Sequence, residues 1–203
     1  MSKQHPEHIV CIKQSAVAHC KDGLVDYKLT TEDLMLGQRS ALEFDPDFRQ
    51  VIPTAIFTCK GKIWTYMRTK QSSETNLHKK VSVSVGGHWD MKDVCLNDDG
   101  SINLEESFRT AMNRELGEEI IINANILKST QFDKMICAND TKTDRIHIGA
   151  ISMHELDCED IQINESHLEA IGFLTPDELL NGDYDIEVWT RIVCELFTDM
   201  NDE

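Results

Sequence analysis

A chain of 203 residues, 40% of them apolar, suits one domain with a sizeable core and an extension. Its 36 acidic residues against 20 basic ones leave a net charge of −16, a field that disfavours duplex nucleic acid, and no basic stripe interrupts it. No apolar run approaches the ~20 residues of a membrane span, and Met1 to Val10 is charged and polar where a secretory leader is apolar, so the expected setting is cytoplasmic.

Residues 1–49 read as an N-terminal extension packed on a main domain spanning 50–203. Within the extension, Glu7 to Lys13 reads as a short strand and Thr30 to Leu36 as a short helix opened by a threonine cap, and Asp45-Pro46-Asp47 marks a turn. Val51 to Thr58 is apolar and β-branched, Lys60-Gly61-Lys62 is a turn, and Ile63 to Arg68 alternates, which predicts a hairpin. Gln71 to Leu77 reads as a polar loop. Val81 to Val85 alternates as a half-buried strand and ends in Gly86-Gly87-His88. A helix over 103–120 follows. Further strands are predicted at Gln131 to Cys137, Arg145 to Met153 and Leu168 to Phe173. Thr175-Pro176-Asp177-Glu178 is a helix start with threonine at the cap, proline first inside and glutamate third. An amphipathic helix from Tyr184 to Phe197 closes the chain, with Trp189, Ile192, Val193 and Leu196 as a core stripe. Strands, one helix, strands, then helices predict a mixed sheet with helices packed on its faces.

The 103–120 segment carries the chemistry. Asn103 is placed to cap it, with Glu106 at the third helical position. Leu104, Phe108, Met112 and Leu116 recur at four-residue steps beside Ala111 and form a stripe to bury. Glu115, Glu118 and Glu119 lie at i, i+3 and i+4, on one face. Like charges so placed cost a few tenths of a kcal/mol per pair, roughly, and most acidic helix faces are simply solvated. Here the cap, the stripe and the repulsion together favour a divalent cation held by oxygen ligands. Arg114, four residues before Glu118 and eight after Glu106, is placed to hold either or both. The seven cysteines are scattered without a C-x-x-C pair, which predicts free thiols, and the eight histidines show no zinc-ligand spacing.

Glu106, seven residues, and then Arg114-Glu115-Leu116-Gly117-Glu118-Glu119, with Ile122 at the last apolar position, match a known pattern. In this run the chain resembles the Nudix hydrolase superfamily, whose signature is G-x5-E-x7-R-E-U-x-E-E-x-G-U with U apolar. Val81 to Gly87 resembles the strand and Gly-Gly that precede the box, and Ile171 to Leu179 the closing strand and short helix. The resemblance covers about residues 50–200. It implies an α+β or α/β fold, an α/β/α sandwich with a mixed central sheet. Two positions depart from the pattern. Ile121 stands where a glycine usually ends the helix, so the helix exit is expected to differ. Gly100 fits the opening glycine by count, but Gly87 fits it by context, which makes residues 88–105 an enlarged loop expected to shape substrate choice.

The resemblance implies a metal-dependent pyrophosphohydrolase acting on a nucleoside diphosphate linked to another group, with Mg²⁺ or Mn²⁺ as cofactor. It implies Glu115, Glu118 and Glu119 as metal ligands, with Arg114 and Glu106 orienting them. The base stays open between a helix glutamate and the loop acids Glu165 and Glu169. Arg68, Trp89, Gly86 and Gly87 are candidate substrate contacts, although a strand-end arginine is commonly solvated and a tryptophan commonly core. His88 reads more as packing than as base or ligand. The proline of ADP-ribose hydrolases and the tyrosine of dinucleoside polyphosphate hydrolases are not found near 137–140, nor is the S-Q-P-W-P-F-P array of NADH pyrophosphatases. The alternatives are a catalytically silent nucleotide sensor of the same fold and, with Cys95 as its cysteine, a diphosphate isomerase. The expected partner is a small phosphorylated nucleotide, with no membrane or duplex nucleic acid, and the resemblance extends an expectation of homodimers.

Overall fold

The structure is a computed structural model and describes residues 7–18, 20–69 and 79–201. In chain order the elements begin with β1 (His8–Lys13), β2 (Gly23–Val25), β3 (Met35–Gln38), α1 (Arg39–Leu42), β4 (Phe48–Cys59) and β5 (Lys62–Arg68). Next come β6 (Val81–Ser82), β7 (Val85–Gly86), β8 (Cys95–Leu96), β9 (Ile102–Asn103), α2 (Leu104–Glu119), β10 (Ile120–Ile122) and β11 (Ile126–Cys137). The last are α3 (Lys142–Ile146), β12 (His147–Leu156), β13 (Ile161–Ile163), β14 (Leu168–Leu174), α4 (Pro176–Asn181) and α5 (Val188–Asn201). This is an α+β fold with a large mixed sheet, whose main hydrogen-bonded order is β14-β5-β4-β12-β11-β2. The polar loop expected over 71–77 lies outside the described residues. Among those described, no helix is long and apolar enough to cross a membrane.

The chain divides into two compact units, and β4, β11, β12 and α2 pass from one into the other. The first unit comprises Met1–Pro53, Gly87–Arg114 and Asp133–Ala150. There β1 pairs antiparallel with β3 and with the start of β4. Ile9, Val10, Cys11 and Ile12 are all buried, so this strand is covered on both faces. The helix expected over Thr30 to Leu36 does not form. Thr30 instead donates its N–H and hydroxyl to the Asp33 carboxylate, 2.9 and 2.6 Å, and Met35 onward becomes β3. A threonine and an aspartate three apart satisfy a turn as readily as a helix start, and pairing with β1 decides between them. Arg49 stitches this unit together from inside. Buried, its guanidinium donates to Gln14, Asn139 and the carbonyls of Ala138, Asp144 and His147.

Residues 88–105 are ordered by their own hydrogen bonds. A 3-10 turn at Met91–Asp93 is closed by a capping box between Asp90 and Asp93. β8 and β9 then form a two-stranded ribbon whose tip, at Asp98-Asp99-Gly100, needs the left-handed backbone of Gly100, φ +84°. The buried Ser107 hydroxyl ties the ribbon to α2, accepting from Cys95 N at 2.8 Å and donating to Asn103 O at 2.6 Å.

The second unit comprises Thr54–Gly86, Glu115–Phe132 and Ile151–Glu203. The predicted hairpin is present. Lys60 and Gly61 both have positive φ, 50° and 79°, the signature of a type I′ turn between β4 and β5. β5 pairs with β14 on one side and meets β6 on its other, while β7 pairs with β4. Val81 to Val85 is therefore not one alternating strand. Its two short strands have different partners, and all five residues are buried, because both faces are covered. The predicted capping box of α4 is complete, with Thr175 and Glu178 bonded reciprocally and Pro176 in the first turn. α5 starts at Val188, later than Tyr184, because Val81 claims the preceding backbone: it bridges to Ile186 and accepts from Glu187 N at 3.0 Å. Ile192, Val193, Cys194 and Phe197 form the buried face of α5, with Trp189 and Leu196 half-buried at its margin.

Candidate functional site

The acidic helix α2 starts as its sequence predicts. Asn103 Oδ1 accepts from Glu106 N at 3.0 Å. Phe108, Ala111 and Met112 are buried, and Leu104 and Leu116 are half-buried at the ends of the stripe. The Glu106 carboxylate pairs with Arg109 one turn on. Trp89 is 0% exposed and packs edge-on against Phe108 at 6.1 Å, so it belongs to the core and has no free face for a base. That removes it from the candidate substrate contacts.

Arg114 is gripped by a residue the sequence did not single out. Its Nε lies 3.0 and 3.2 Å from the two Asp93 oxygens, its Nη2 is 2.7 Å from Asp93 Oδ2, and Nη2 also donates to His88 O at 2.9 Å. A forked bond of this kind fixes the guanidinium plane. Its partner comes from the 3-10 turn of the 88–105 segment, so part of what that segment does is structural. The His88 ring meets His147 with 3.3 Å between their Nε2 atoms. His147 Nδ1 lies 2.8 Å from Thr143 O, which assigns that nitrogen the proton. Burial holds both imidazoles neutral, His88 well below its ordinary pKa and His147 at about 4.

The C-terminal turn of α2 belongs to the second unit. With Ile121 in place of glycine, no left-handed residue ends the helix; β10 begins at once and pairs with β13. Three consecutive β-branched isoleucines suit that strand. The exposed carbonyls are taken by Asn164, just after β13. Its Nδ2 donates to Gly117 O and Glu118 O, 3.2 Å each, and its N–H to Glu119 O at 2.9 Å. This contact carries the next residues to the acidic helix. Glu165, His167 and Glu119 present ligand atoms that all lie within 4.8 Å of one another. Glu165 Oε2 is 3.0 Å from His167 Nε2. Glu169, the other acid considered as a base, is exposed on β14.

The three helix glutamates sit at different depths: Glu118 exposed, Glu115 half-buried, Glu119 only 7% exposed. The Glu119 Oε2 atom is buried with no hydrogen-bond partner. Its pKa is pushed up to about 7, chiefly by burial; Glu115 and Glu165 raise it further, against Arg68 and a hydrogen bond from the Gly86 backbone. Gly86 thus serves the carboxylate directly. Arg68 is not a solvated strand end. Its side chain is 14% exposed, lies 3.3 Å from Glu187, donates to the Tyr66 hydroxyl at 3.2 Å and lies over that ring. Carboxylates of graded depth, one with an orphaned oxygen, and an imidazole make a donor set that fits a divalent cation. Sequence reasoning missed His167, Asp93 and Asn164. A signal for His167 existed: Glu165 and His167, two apart just before a predicted strand, are common ligand types close enough in sequence to serve one site.

No protein-family profile matches this chain. Protein YmaB of Bacillus subtilis (strain 168) is 26% identical over 162 residues, 78% of this chain and 76% of YmaB. The crystal structure of Tm1382, itself a candidate Nudix hydrolase, aligns over 96% of this chain and 100% of its own at 19% identity, with a TM-score of 0.69. The MutT protein from Methanosarcina mazei Go1 aligns over 76% of this chain and 96% of its own at 16% identity and a TM-score of 0.44. The fold is of the Nudix type.

Proposed function

We propose that this chain is a metal-dependent hydrolase that cleaves the pyrophosphate linkage of a nucleoside diphosphate joined to another group. The observation that carries the reading is Glu119: a buried carboxylate with an orphaned oxygen, at the end of a helix with the E-x7-R-E-x-x-E-E spacing. A buried unpartnered carboxylate oxygen is costly, and a cation would satisfy it. Glu115, Glu118 and Glu119 are the proposed ligands of Mg²⁺ or Mn²⁺. When bound, the ion would polarise the phosphate oxygens and lower the pKa of water.

The chain's own residues supply position. The Gly86 backbone N–H donates to the Glu119 carboxylate, the charge of Arg68 favours its ionised form, and Glu118 is exposed. Arg114, held by Asp93, directly precedes Glu115 in the chain. The proton released by the attacking water would pass to the carboxylates around Glu119. We further propose a cytoplasmic setting, a small phosphorylated nucleotide as the partner and a homodimeric assembly.

A panel of nucleoside diphosphate derivatives with Mg²⁺ or Mn²⁺, run beside Glu118→Gln, tests the reading. The expected result is metal-dependent release of a nucleotide by the parent and a rate lower by roughly 100-fold in the variant. Tight binding without turnover across the panel would replace the enzyme with a sensor.

A further inference from the structure

We propose that Glu119, Glu165 and His167 form a mixed carboxylate–imidazole site for a transition-metal ion of the Zn²⁺ type. This deepens the reading above, with which it shares Glu119, but its own warrant lies in the 164–168 segment.

Three observations carry it. The ligand atoms of the three side chains lie within 4.8 Å of one another, and Glu165 Oε2 is 3.0 Å from His167 Nε2. Neighbouring ligands of a tetrahedral ion with bonds of about 2.1 Å are about 3.4 Å apart, so that pair needs to open by only a few tenths of an ångström to share one ion. Glu119, the buried member, has an oxygen with no hydrogen-bond partner. A Glu165–His167 ion pair by itself leaves that oxygen unsatisfied, whereas an ion shared by the three would not.

The segment is also held before any ion arrives. Asn164 is fastened to the end of α2, Leu168 N donates to Glu165 O at 3.3 Å, and Thr69 N donates to His167 O at 2.8 Å. The local charge suits a cation. The Glu115 and Glu165 carboxylates add their negative field to that of Glu119, and the Arg68 guanidinium that opposes it is already paired with Glu187. The imidazole sets the class of ion. All-oxygen sites suit Mg²⁺, while an imidazole nitrogen beside two carboxylates favours Zn²⁺, Co²⁺ or their neighbours.

The test titrates Co²⁺, Zn²⁺ and Mg²⁺ into the metal-free full-length protein, following the visible Co²⁺ bands and the heat of binding. One Co²⁺ per chain is expected, displaced by Zn²⁺ and not by equimolar Mg²⁺. His167→Gln and, separately, Glu165→Gln should weaken Co²⁺ binding at least tenfold, and His167→Gln should shift its spectrum. Affinity and spectrum unchanged in both variants would overturn the site. Nucleotide hydrolysis is read in parallel with Glu118→Gln. Turnover with a Co²⁺ spectrum independent of His167 sinks this site alone; a His167-dependent spectrum without turnover upholds it and sinks the hydrolase.

Discussion

The side-chain amide of Asn164 donates to the backbone carbonyls of Gly117 and Glu118, 3.2 Å each, and so ends the acidic helix where a glycine would be expected. The bond joins stability to the site, since the same residue delivers Glu165 and His167 to Glu119. Asn164→Ala removes the side-chain donor and leaves the backbone bond to Glu119 O. A loss of about 1 kcal/mol is expected, which for a chain of this size is a fall of roughly 2–4 °C in Tm. Metal affinity should fall by more than this stability loss accounts for. A thermal melt and a Co²⁺ titration of the variant check both, and an unchanged pair of values would remove Asn164 from this role.

Asp93 and Arg114 form the second anchor of the helix, and a double-mutant cycle measures it. Asp93 is nearly fully buried while the Arg114 side chain is 21% exposed, so the coupling is expected between surface and interior values, roughly 1–3 kcal/mol. Asp93→Asn, Arg114→Lys and the double variant are unfolded in urea. A coupling below about 0.5 kcal/mol would make the forked bond incidental.

What was legible in the chain was what depends on near neighbours. The Asn103 cap, the Thr175–Glu178 box and the Lys60-Gly61 turn are each settled within four residues, and the structure has all three. The helix expected at Thr30 failed for the same reason: its local chemistry fits a turn too, and the competing partner, β1, lies more than twenty residues away. Asp93 stands 21 positions before Arg114, and Asn164 stands 46 positions after Glu118. No pattern in either segment announces a partner at that range. Trp89 is a candidate substrate contact by its place just after Gly86-Gly87-His88, and only its complete burial, edge-on to Phe108, shows that it belongs to the core.

The His88–His147 pair predicts an acid limit. Burial lowers the folded pKa of His147 from 6.5 to about 4, so between those values the unfolded chain binds a proton that the folded chain does not. Stability from this group is complete above pH 6.5 and is lost as pH falls toward 4. The span corresponds to about 3 kcal/mol. His147→Gln should flatten this part of the stability–pH profile, measured by urea unfolding between pH 7 and 4. A parent and variant that fall in parallel would assign the acid limit to other groups.

Glu119 gives the opposite slope. Its folded pKa is about 7 against an ordinary 4.5, so in this window the folded protein keeps a proton that the unfolded chain has released. Metal-free stability from this group is therefore lost as pH rises from 4.5 through 7, by about 3 kcal/mol at the top. Glu119→Gln lacks the penalty and should be more stable than the parent at pH 8 in chelator. Metal reverses the order. An ion present at 1,000 times its Kd stabilises the parent by about 4 kcal/mol, more than the variant's lead, and should leave the variant nearly unmoved. Unfolding titrations of both proteins at pH 8, with chelator and with Mn²⁺, give four free energies. The expected pattern is a crossing, with the variant ahead without metal and the parent gaining selectively with it. Equal metal responses would mean that Glu119 holds no ion, and its raised pKa would then be a cost of packing alone.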